Sequence, residues 1–305
     1  KGVVLSSVLN PTYSELDSYK MAGACIDGAI RAAVAAGATI DTLALLDNFC
    51  WCSSNDPIRL GQLKQAVKAC YDYSVLYGTP LISGKDSMFN DFKGFDAKGN
   101  LVFISIPPTL LVSSIGVIKD VRKAHSIDFK FDGDLIYLLG ETYDELGGSE
   151  YIRFLGEQDK EEYTGTVPEV RGEKNKKMYQ TFAKLTDFGL LASAISVGRG
   201  GLAVALLKSS MAGMLGLGIS LRQMSKHTPS DDATLFSESQ GRIVVSVSPT
   251  HKKKFEIMTK DIPTYRLGNV RGDAHTSIRG RNGTRVVKTS VEDALKAYKS
   301  TFKSF

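Results

Sequence analysis

The fold of this chain is decided by residues 43–90, which read LALLDNFCWCSSNDPIRLGQLKQAVKACYDYSVLYGTPLISGKDSMFN. Leu43 to Leu46 form a short apolar run that predicts a buried strand. Asp56-Pro57 then supplies a helix N-cap and a proline at the first helical position, and apolar residues recur at helical spacing until Gly78. A second strand is predicted from Pro80 to Ser83. The pattern therefore indicates a strand–helix–strand unit of an α/β sheet.

Polar residues follow both predicted strands. Asp47-Asn48-Phe49 ends the first strand, and Gly84-Lys85-Asp86-Ser87 is predicted to be a loop after the second. A glycine lets the backbone approach a ligand closely, and the three side chains after it can bind phosphate, metal or amide groups. Because a strand–helix–strand unit brings both segments to one edge of the sheet, we expect a ligand site there.

The pattern of predicted helices and strands changes across a polar segment at residues 121–133. This change predicts two domains, residues 1–125 and 126–305. The first part alternates helices rich in small residues with apolar strands and ends in a β-rich stretch. The predicted elements are a helix over Met21–Ala36, the β-rich stretch Leu101–Val117, a strand over Leu135–Leu139, a turn-rich loop over Gly140–Tyr151, helices over Glu173–Ala183 and Gly201–Met211, an alternating strand over Gly241–Val247, and an Asn-Gly hairpin turn at Arg281-Asn282-Gly283-Thr284.

Composition allows a large core and excludes several classes of protein. The chain has 305 residues, 43% of them hydrophobic, and a mild formal charge of +5. Its basic residues are scattered, so we expect no nucleic-acid partner. No apolar run is long enough to span a bilayer and no signal peptide is visible, so we expect a cytoplasmic protein without a membrane partner. Four cysteines without CxxC spacing are expected to be free thiols and to bind no metal.

Several further stretches, together with residues 43–90, resemble one enzyme family in the family's own order. They are Asn10-Pro11, IPPTLLVSSIGVIKDV at 106–121, GETYDELGGSEY at 140–151, GGLAVAL at 200–206 and LFSESQGR at 235–242. The chain resembles the second, C-terminal half of phosphoribosylformylglycinamidine synthases, which are built from two copies of an aminoimidazole-ribonucleotide-synthase-like unit. The resemblance implies an α/β (α+β) fold with an N-terminal A domain, lacking its first strands, and a C-terminal B domain. The chain is then expected to be a fragment, or one chain of a divided enzyme.

The resemblance also implies an ATP-dependent ligase of de novo purine biosynthesis. Such enzymes use ATP and Mg²⁺ to convert formylglycinamide ribonucleotide into its amidine with glutamine-derived ammonia. Carried over by motif, Asp47 and Gly84 would bind ATP, Ser87 would bind the substrate, and Lys85 would occupy a magnesium-associated position. Because a charged lysine cannot ligate magnesium, we expect Lys85 to contact phosphate instead. No catalytic residue of the family is matched in this chain, so the chain by itself is expected to be inactive.

Three positions depart from the family pattern of an auxiliary nucleotide site. Gly28 and Ala32 stand where the family has magnesium-binding glutamate and asparagine, and Arg199 replaces an acidic ligand. We therefore expect this auxiliary site to be degenerate and to hold no metal. Arg199 could instead pair with an acidic neighbour, hold a bare anion, or simply lie exposed in a glycine-rich turn.

Three functions fit these observations. The first is a half of the ligase that completes an active site carried mainly by the missing first half, with ammonia supplied by a glutaminase domain or subunit. The second is a noncatalytic scaffold that binds a partner through the same surfaces. The third is a related ATP-dependent enzyme of the aminoimidazole-ribonucleotide-synthase, selenophosphate-synthetase or hydrogenase-maturation type. The tracts FCWC and LFSESQGR favour the first over the third.

Overall fold

The structure, a computed structural model, describes residues 1–160, 164–224 and 226–300. Its strands form two main sheets and one hairpin. The strands are β1 (Gly2–Leu9), β2 (Ala44–Cys50), β3 (Leu81–Ser87), β4 (Phe92–Phe95), β5 (Leu101–Ile104), β6 (Thr109–Ile118), β7 (Leu135–Leu139), β8 (Ser193–Ser196), β9 (Gly216–Ser220), β10 (Ile243–Val247), β11 (Thr264–Arg271), β12 (His275–Arg279) and β13 (Arg285–Ser290). The helices are α1 (Pro11–Ser14), α2 (Ser18–Ala35), α3 (Pro57–Tyr77), α4 (Glu150–Asp159), α5 (Gly172–Asp187), α6 (Gly201–Gly213), α7 (Asp231–Phe236), α8 (Lys252–Met258) and α9 (Val291–Lys299). None of these helices is both long and apolar enough to cross a membrane.

The first sheet has the strand order β1-β6-β2-β3, and β3 is an edge strand. β2 and β3 are parallel and are joined by α3, so the predicted strand–helix–strand unit is confirmed. The Asp56 carboxylate caps α3 by accepting hydrogen bonds from the backbone N–H groups of Ile58 and Arg59 at 2.8 and 3.4 Å. Gly78 ends the helix in the left-handed conformation, with φ of 72°.

The prediction of a loop at Gly84-Lys85-Asp86-Ser87 is wrong. These residues continue β3, and Gly84 to Ser87 pair in register with Asp47 to Cys50 of β2. Glycine and charged residues are uncommon in strands, and pairing along the whole length of β2 overrides that local preference. The candidate residues Gly84, Lys85 and Ser87 therefore lie in an edge strand of the sheet rather than in a loop.

The second sheet has the strand order β13-β12-β9-β11-β7-β10-β8 and is covered by helices on both faces. Alternate residues of β7 pack on α5 and α8 on one side and on α6 on the other. The strand predicted over Gly241–Val247 is observed as β10, but its five residues are all buried rather than alternately exposed. Helices on both faces of a sheet remove the solvent-facing half of the alternation.

The two sheets share one hydrophobic core. Ile26 of α2, Tyr137 of β7 and Tyr179 of α5 all belong to the same buried cluster. A second cluster lies between the other face of the second sheet and α6. The parts before and after the polar segment are therefore packed against each other through apolar side chains. The boundary at residue 125 stays a prediction.

The other predicted elements are observed with shifted ends. The helices over Met21–Ala36, Glu173–Ala183 and Gly201–Met211 correspond to α2, α5 and α6. β7 has the predicted bounds, and the Asn-Gly turn joins β12 and β13 with Gly283 at a φ of 88°. β1 and the hairpin of β4 and β5 were not predicted as separate strands. In β1, the apolar residues Val3 and Leu5 lie on the exposed face, so the sequence does not show the alternation of a half-buried strand.

Candidate functional site

Asp47 and Gly84 lie side by side on β2 and β3. They are paired residues of the parallel ladder, and a Cβ atom added at Gly84 would lie 2.9 Å from Oδ1 of Asp47. The glycine therefore leaves the space that the Asp47 carboxylate occupies. Asp47 has the same strand parity as buried Leu45 and Phe49, so it lies on the helix-covered face of the sheet.

Lys85 and Ser87 lie on the opposite face of β3. The Lys85 ammonium donates a hydrogen bond to the Ser87 hydroxyl over 2.8 Å. Asn48 and Cys50 of β2 are their partners in the ladder, so these four side chains form a polar patch on the face that no helix covers. Asp47 therefore lies beside Gly84 and Lys85 lies beside Ser87, but the two pairs are on opposite faces of the sheet.

Asp86 is a second carboxylate on the face of Asp47. Burial raises the pKa of Asp47, and the negative charge of Asp86 raises it further. Neither carboxylate forms an ion pair within the described residues. The sequence analysis assigned Asp86 no role of its own, although strand parity would have placed it with Gly84 and Asp47 once the loop was recognised as a strand.

Gly28, Ala32 and Arg199 also come together. They line a cavity of about 570 Å³, which we name the α2–α6 cavity because α2 and α6 form two of its walls. The end of β1, β8 and the segment at His125 and Ile127 complete it. This is the place where the family resemblance put an auxiliary nucleotide.

Arg199 is paired with an acidic neighbour. Its guanidinium donates to Glu150 at the start of α4, over 2.8 Å from Nε. A side chain at position 28 would crowd Val8, since a Cβ atom added at Gly28 would lie 3.0 Å from Cγ1 of Val8. No aspartate or glutamate is among the described residues that line the cavity, so the donor set does not fit Mg²⁺, which prefers carboxylate oxygens.

Asp27 is a buried carboxylate beside this cavity. It accepts hydrogen bonds from Tyr77 of α3 at 2.6 Å, from Asn175 and Tyr179 of α5 at 2.9 and 2.7 Å, and from Gly241 N–H at 3.1 Å, and it pairs with Arg31. Its exposed fraction is 0%. The carboxylate therefore joins α2, α3, α5 and the turn before β10.

Glu238 occupies the start of two helices. Its carboxylate accepts from the backbone N–H groups of Gly200, before α6, at 2.8 Å and of Glu150, in α4, at 3.0 Å, and also from the Tyr13 hydroxyl. Burial is the main reason that the pKa of Glu238 is raised, although these donors oppose it. Glu238 lies within the tract at 235–242, but the sequence assigns no role to it or to Asp27, because their partners are distant in sequence.

No group of three or more His, Cys, Asp or Glu side chains that could hold a metal ion occurs in the part of the chain that the structure describes. The four cysteines are free, as predicted.

His125 is the histidine that lines the α2–α6 cavity, and burial lowers its pKa from 6.5 to about 4. At neutral pH it is therefore uncharged, and its Nε2 lies 2.8 Å from the Thr186 hydroxyl.

Comparison with known sequences identifies proteins that are similar to this chain. Residues 132–281 match the family described as AIR synthase related protein, C-terminal domain. The phosphoribosylformylglycinamidine synthase subunit PurL of Methanocaldococcus jannaschii is 32% identical over 303 residues, which are 99% of this chain and 39% of that protein. PurL of Streptomyces coelicolor is 31% identical over 275 residues, covering 90% of this chain and 34% of that protein. The chain thus spans little more than a third of these relatives.

Solved structures show the same fold. Thermotoga maritima PurL complexed with FGAR has a TM-score of 0.76 and 19% identity, and the match covers 96% of this chain and 45% of that one. The hydrogenase maturation protein HypE in complex with ATP has a TM-score of 0.67 and 13% identity, over 95% of this chain and 85% of that one. The α+β fold expected from the sequence is therefore confirmed. Residues 132–281 thus match the AIR synthase related C-terminal domain, and nearly the whole chain is similar to a part of the PurL subunits of phosphoribosylformylglycinamidine synthase.

Proposed function

We propose that this chain is part of an ATP-dependent carbon–nitrogen ligase, a phosphoribosylformylglycinamidine synthase of the cytoplasm. Sequence identity of about a third to PurL subunits across nearly the whole chain supports this activity. Because the chain spans only 39% of the M. jannaschii protein, the rest of the active site belongs to residues outside it. The observation that carries the proposal is the placement of Asp47, Gly84 and Asp86 on adjacent parallel strands at a sheet edge.

Asp47 and Asp86 are suited to hold the metal ion of an ATP–Mg²⁺ complex. Magnesium in nucleotide sites is bound by one or two carboxylates together with phosphate oxygens. Burial and, to a smaller extent, the charge of Asp86 raise the pKa of Asp47, and a shared cation would relieve the repulsion between the two carboxylates. Gly84 keeps the space beside Asp47 free of a side chain. When bound, ATP supplies the phosphoryl group that activates the amide oxygen of the substrate.

Lys85 and Ser87 are suited to bind the anionic ribonucleotide. Lysine is a compact cation for phosphate, and the Ser87 hydroxyl can donate to or accept from a substrate group. Since β3 is an edge strand, ligands bound on its two faces would approach each other around that edge of the sheet. These residues position and stabilise bound groups, and we assign no proton transfer to any residue of this chain.

The uncovered face of the first sheet is suited to bind the rest of the enzyme. Val3, Leu5, Ile115 and Val117 form an apolar row there, with exposed fractions of 66%, 74%, 42% and 45%. Contiguous exposed apolar surface in a folded protein usually marks an interface. The polar patch of Lys85 and Ser87 lies on this same face, so a covering partner would enclose it. We infer that this partner is the first half of the same enzyme, and that a glutaminase domain or subunit supplies ammonia.

Variants of the complete enzyme test the assignment. Asp47→Asn should raise the KM for ATP, and Ser87→Ala should raise the KM for the ribonucleotide, each by about 10- to 100-fold, since each removes a charge or hydrogen bond to a bound group. Ser83→Ala is the matched control, because Ser83 lies exposed on β3 two residues before Lys85. Unchanged kinetics in both Asp47→Asn and Ser87→Ala would show that the edge of β3 is not the active site.

The purified 305-residue chain should form no amidine from formylglycinamide ribonucleotide, ATP and ammonia. It lacks the residues that the relatives carry beyond the matched third of their length. Product analysis with excess ammonia tests this without the glutaminase. Measurable turnover would mean that the chain holds a complete active site.

A further inference from the structure

The α2–α6 cavity has a positively charged lining. Arg31, Arg199 and Lys208 are its charged residues apart from neutral His125, and no carboxylate lies among the described residues that line it. Its volume of about 570 Å³ is in the range of sites for small organic molecules. The cavity is therefore large enough for a ligand and has the charge for an anion.

Two of the three cations are already paired. Arg31 is buried and donates to Asp27, to Ser196 at 2.9 Å and to Gln240 at 2.9 Å. Arg199 is paired with Glu150 of α4. Lys208 of α6 is only partly exposed, and its ammonium has no hydrogen bond or ion pair within the described ranges. A half-buried, unpaired ammonium is the group that a bound anion would stabilise most.

The helix ends near the cavity are not free to bind phosphate. The N–H groups of Gly200 and Glu150 both donate to the buried Glu238 carboxylate. An anion at these helix starts would be repelled by that carboxylate. The remaining position for an anion is at Lys208, about two turns further along α6 and about 10 Å from its first residue, at 1.5 Å per residue.

The wall of the cavity between the start of α6 and Lys208 is mostly apolar. The residues that contribute to it are Ala32 of α2, Ala36 directly after α2, Ile127, and Val204 and Ala205 of α6. We propose that the α2–α6 cavity binds, without a metal ion, an organic anion whose apolar body lies along α2 and whose charged group pairs with Lys208. This site is separate from the edge of β3, and the proposal does not depend on the ligase activity.

The dye 8-anilinonaphthalene-1-sulfonate is a suitable probe, because it joins one anionic group to an apolar body. Titrations should use a Leu5→Glu/Ile115→Lys background, in which the open sheet face no longer offers a second apolar surface to the dye. Binding should be the same with EDTA and with Mg²⁺. Lys208→Gln should weaken it about tenfold, a change of about 1.4 kcal/mol, whereas Lys208→Arg should retain it.

Two further variants separate the site from general charge effects. Lys64→Gln removes a lysine from the exposed side of α3 and should leave dye affinity unchanged. Ala36→Asp places a carboxylate in the cavity and should abolish binding, with thermal unfolding used to verify that the variant is folded. Equal affinity in Lys208→Gln and the parent, or a requirement for Mg²⁺, would overturn the proposal.

Discussion

At the scale of single residues, Asp27 connects parts of the chain that are far apart in sequence. Asp27→Asn removes the charge but keeps the shape, and it leaves buried Arg31 without its counter-ion. We expect a loss of about 3 to 5 kcal/mol in the free energy of unfolding, measured by denaturant titration. Asp187→Asn is the control, since that carboxylate is 72% exposed and its ion pair with Lys123 is long at 3.7 Å. A loss below about 1 kcal/mol in both variants would show that the network contributes little.

His125 should make the free energy of unfolding depend on pH. Its pKa is lowered by burial from 6.5 to about 4, so the folded state favours the neutral ring. Below pH 6.5 the unfolded chain takes up a proton that the folded chain does not, so this contribution is fully present above pH 6.5 and is lost as pH falls towards 4. His125→Gln should therefore lose less stability than the parent between pH 6.5 and 4, by on the order of 2 kcal/mol. His251→Gln, at an exposed position, should follow the parent curve.

Residue types in the sequence were enough to group Gly28, Ala32 and Arg199 but not to give their contacts. Gly28, Ala32 and Arg199 were singled out as a group, and the structure brings them to one cavity. The partner of Arg199 could not be deduced, because Glu150 lies 49 residues away on another helix. Such long-range pairings follow from packing, which no local pattern encodes.

At the scale of elements, two helical glycines should respond in opposite ways to the same change. Gly61 is exposed on α3 with no atom within 4 Å of an added Cβ, so Gly61→Ala should raise stability by about 1 kcal/mol. Gly23 of α2 faces α3, and an added Cβ would lie 2.5 Å from Cε2 of Tyr73. Gly23→Ala should therefore lower stability by about 1 to 3 kcal/mol. Thermal melts of both variants measure this, and a gain from Gly23→Ala would contradict the close packing of α2 and α3.

Helix ends were predictable where a capping residue was present. α3 begins at the N-cap Asp56 and Pro57 and ends at Gly78, whose left-handed backbone terminates the helix. The extent of β3 was not predictable, since Gly84 and the polar residues after it resemble a loop in isolation. Only the pairing of β3 with β2 shows that they continue the strand.

At the scale of the whole molecule, the open face of the first sheet should make the isolated chain associate. Leu5 and Ile115 are directly opposed across β1 and β6 and are both exposed. The variant Leu5→Glu/Ile115→Lys replaces this apolar pair by an opposed charge pair, which a sheet tolerates well. Sedimentation velocity over a range of concentrations should show weaker association than for the parent chain. Ile58→Glu, at a position 73% exposed on α3, should sediment like the parent, and unchanged association of the double variant would show that another surface is responsible.

The structure has one main sheet built from strands before the polar segment and one built from strands after it, but the way these two sheets meet was not predictable. The change in predicted elements at residues 121–133 separated a first and a second part of the chain. The shared core and the Asp27 network are formed by residues from both parts. Sequence patterns report which face of an element is apolar. They do not report which other element covers it.

The Asp27 network also has a consequence for how the protein is made. The Gly241 N–H that bonds Asp27 lies 214 residues later in the chain. At typical synthesis rates of 5 to 20 residues per second, α2 leaves the ribosome roughly 10 to 40 s before that donor does. During this interval the carboxylate lacks several of its partners, so α2 cannot reach its final buried environment. Completion of the first part of the molecule is therefore postponed until the second part has been synthesised.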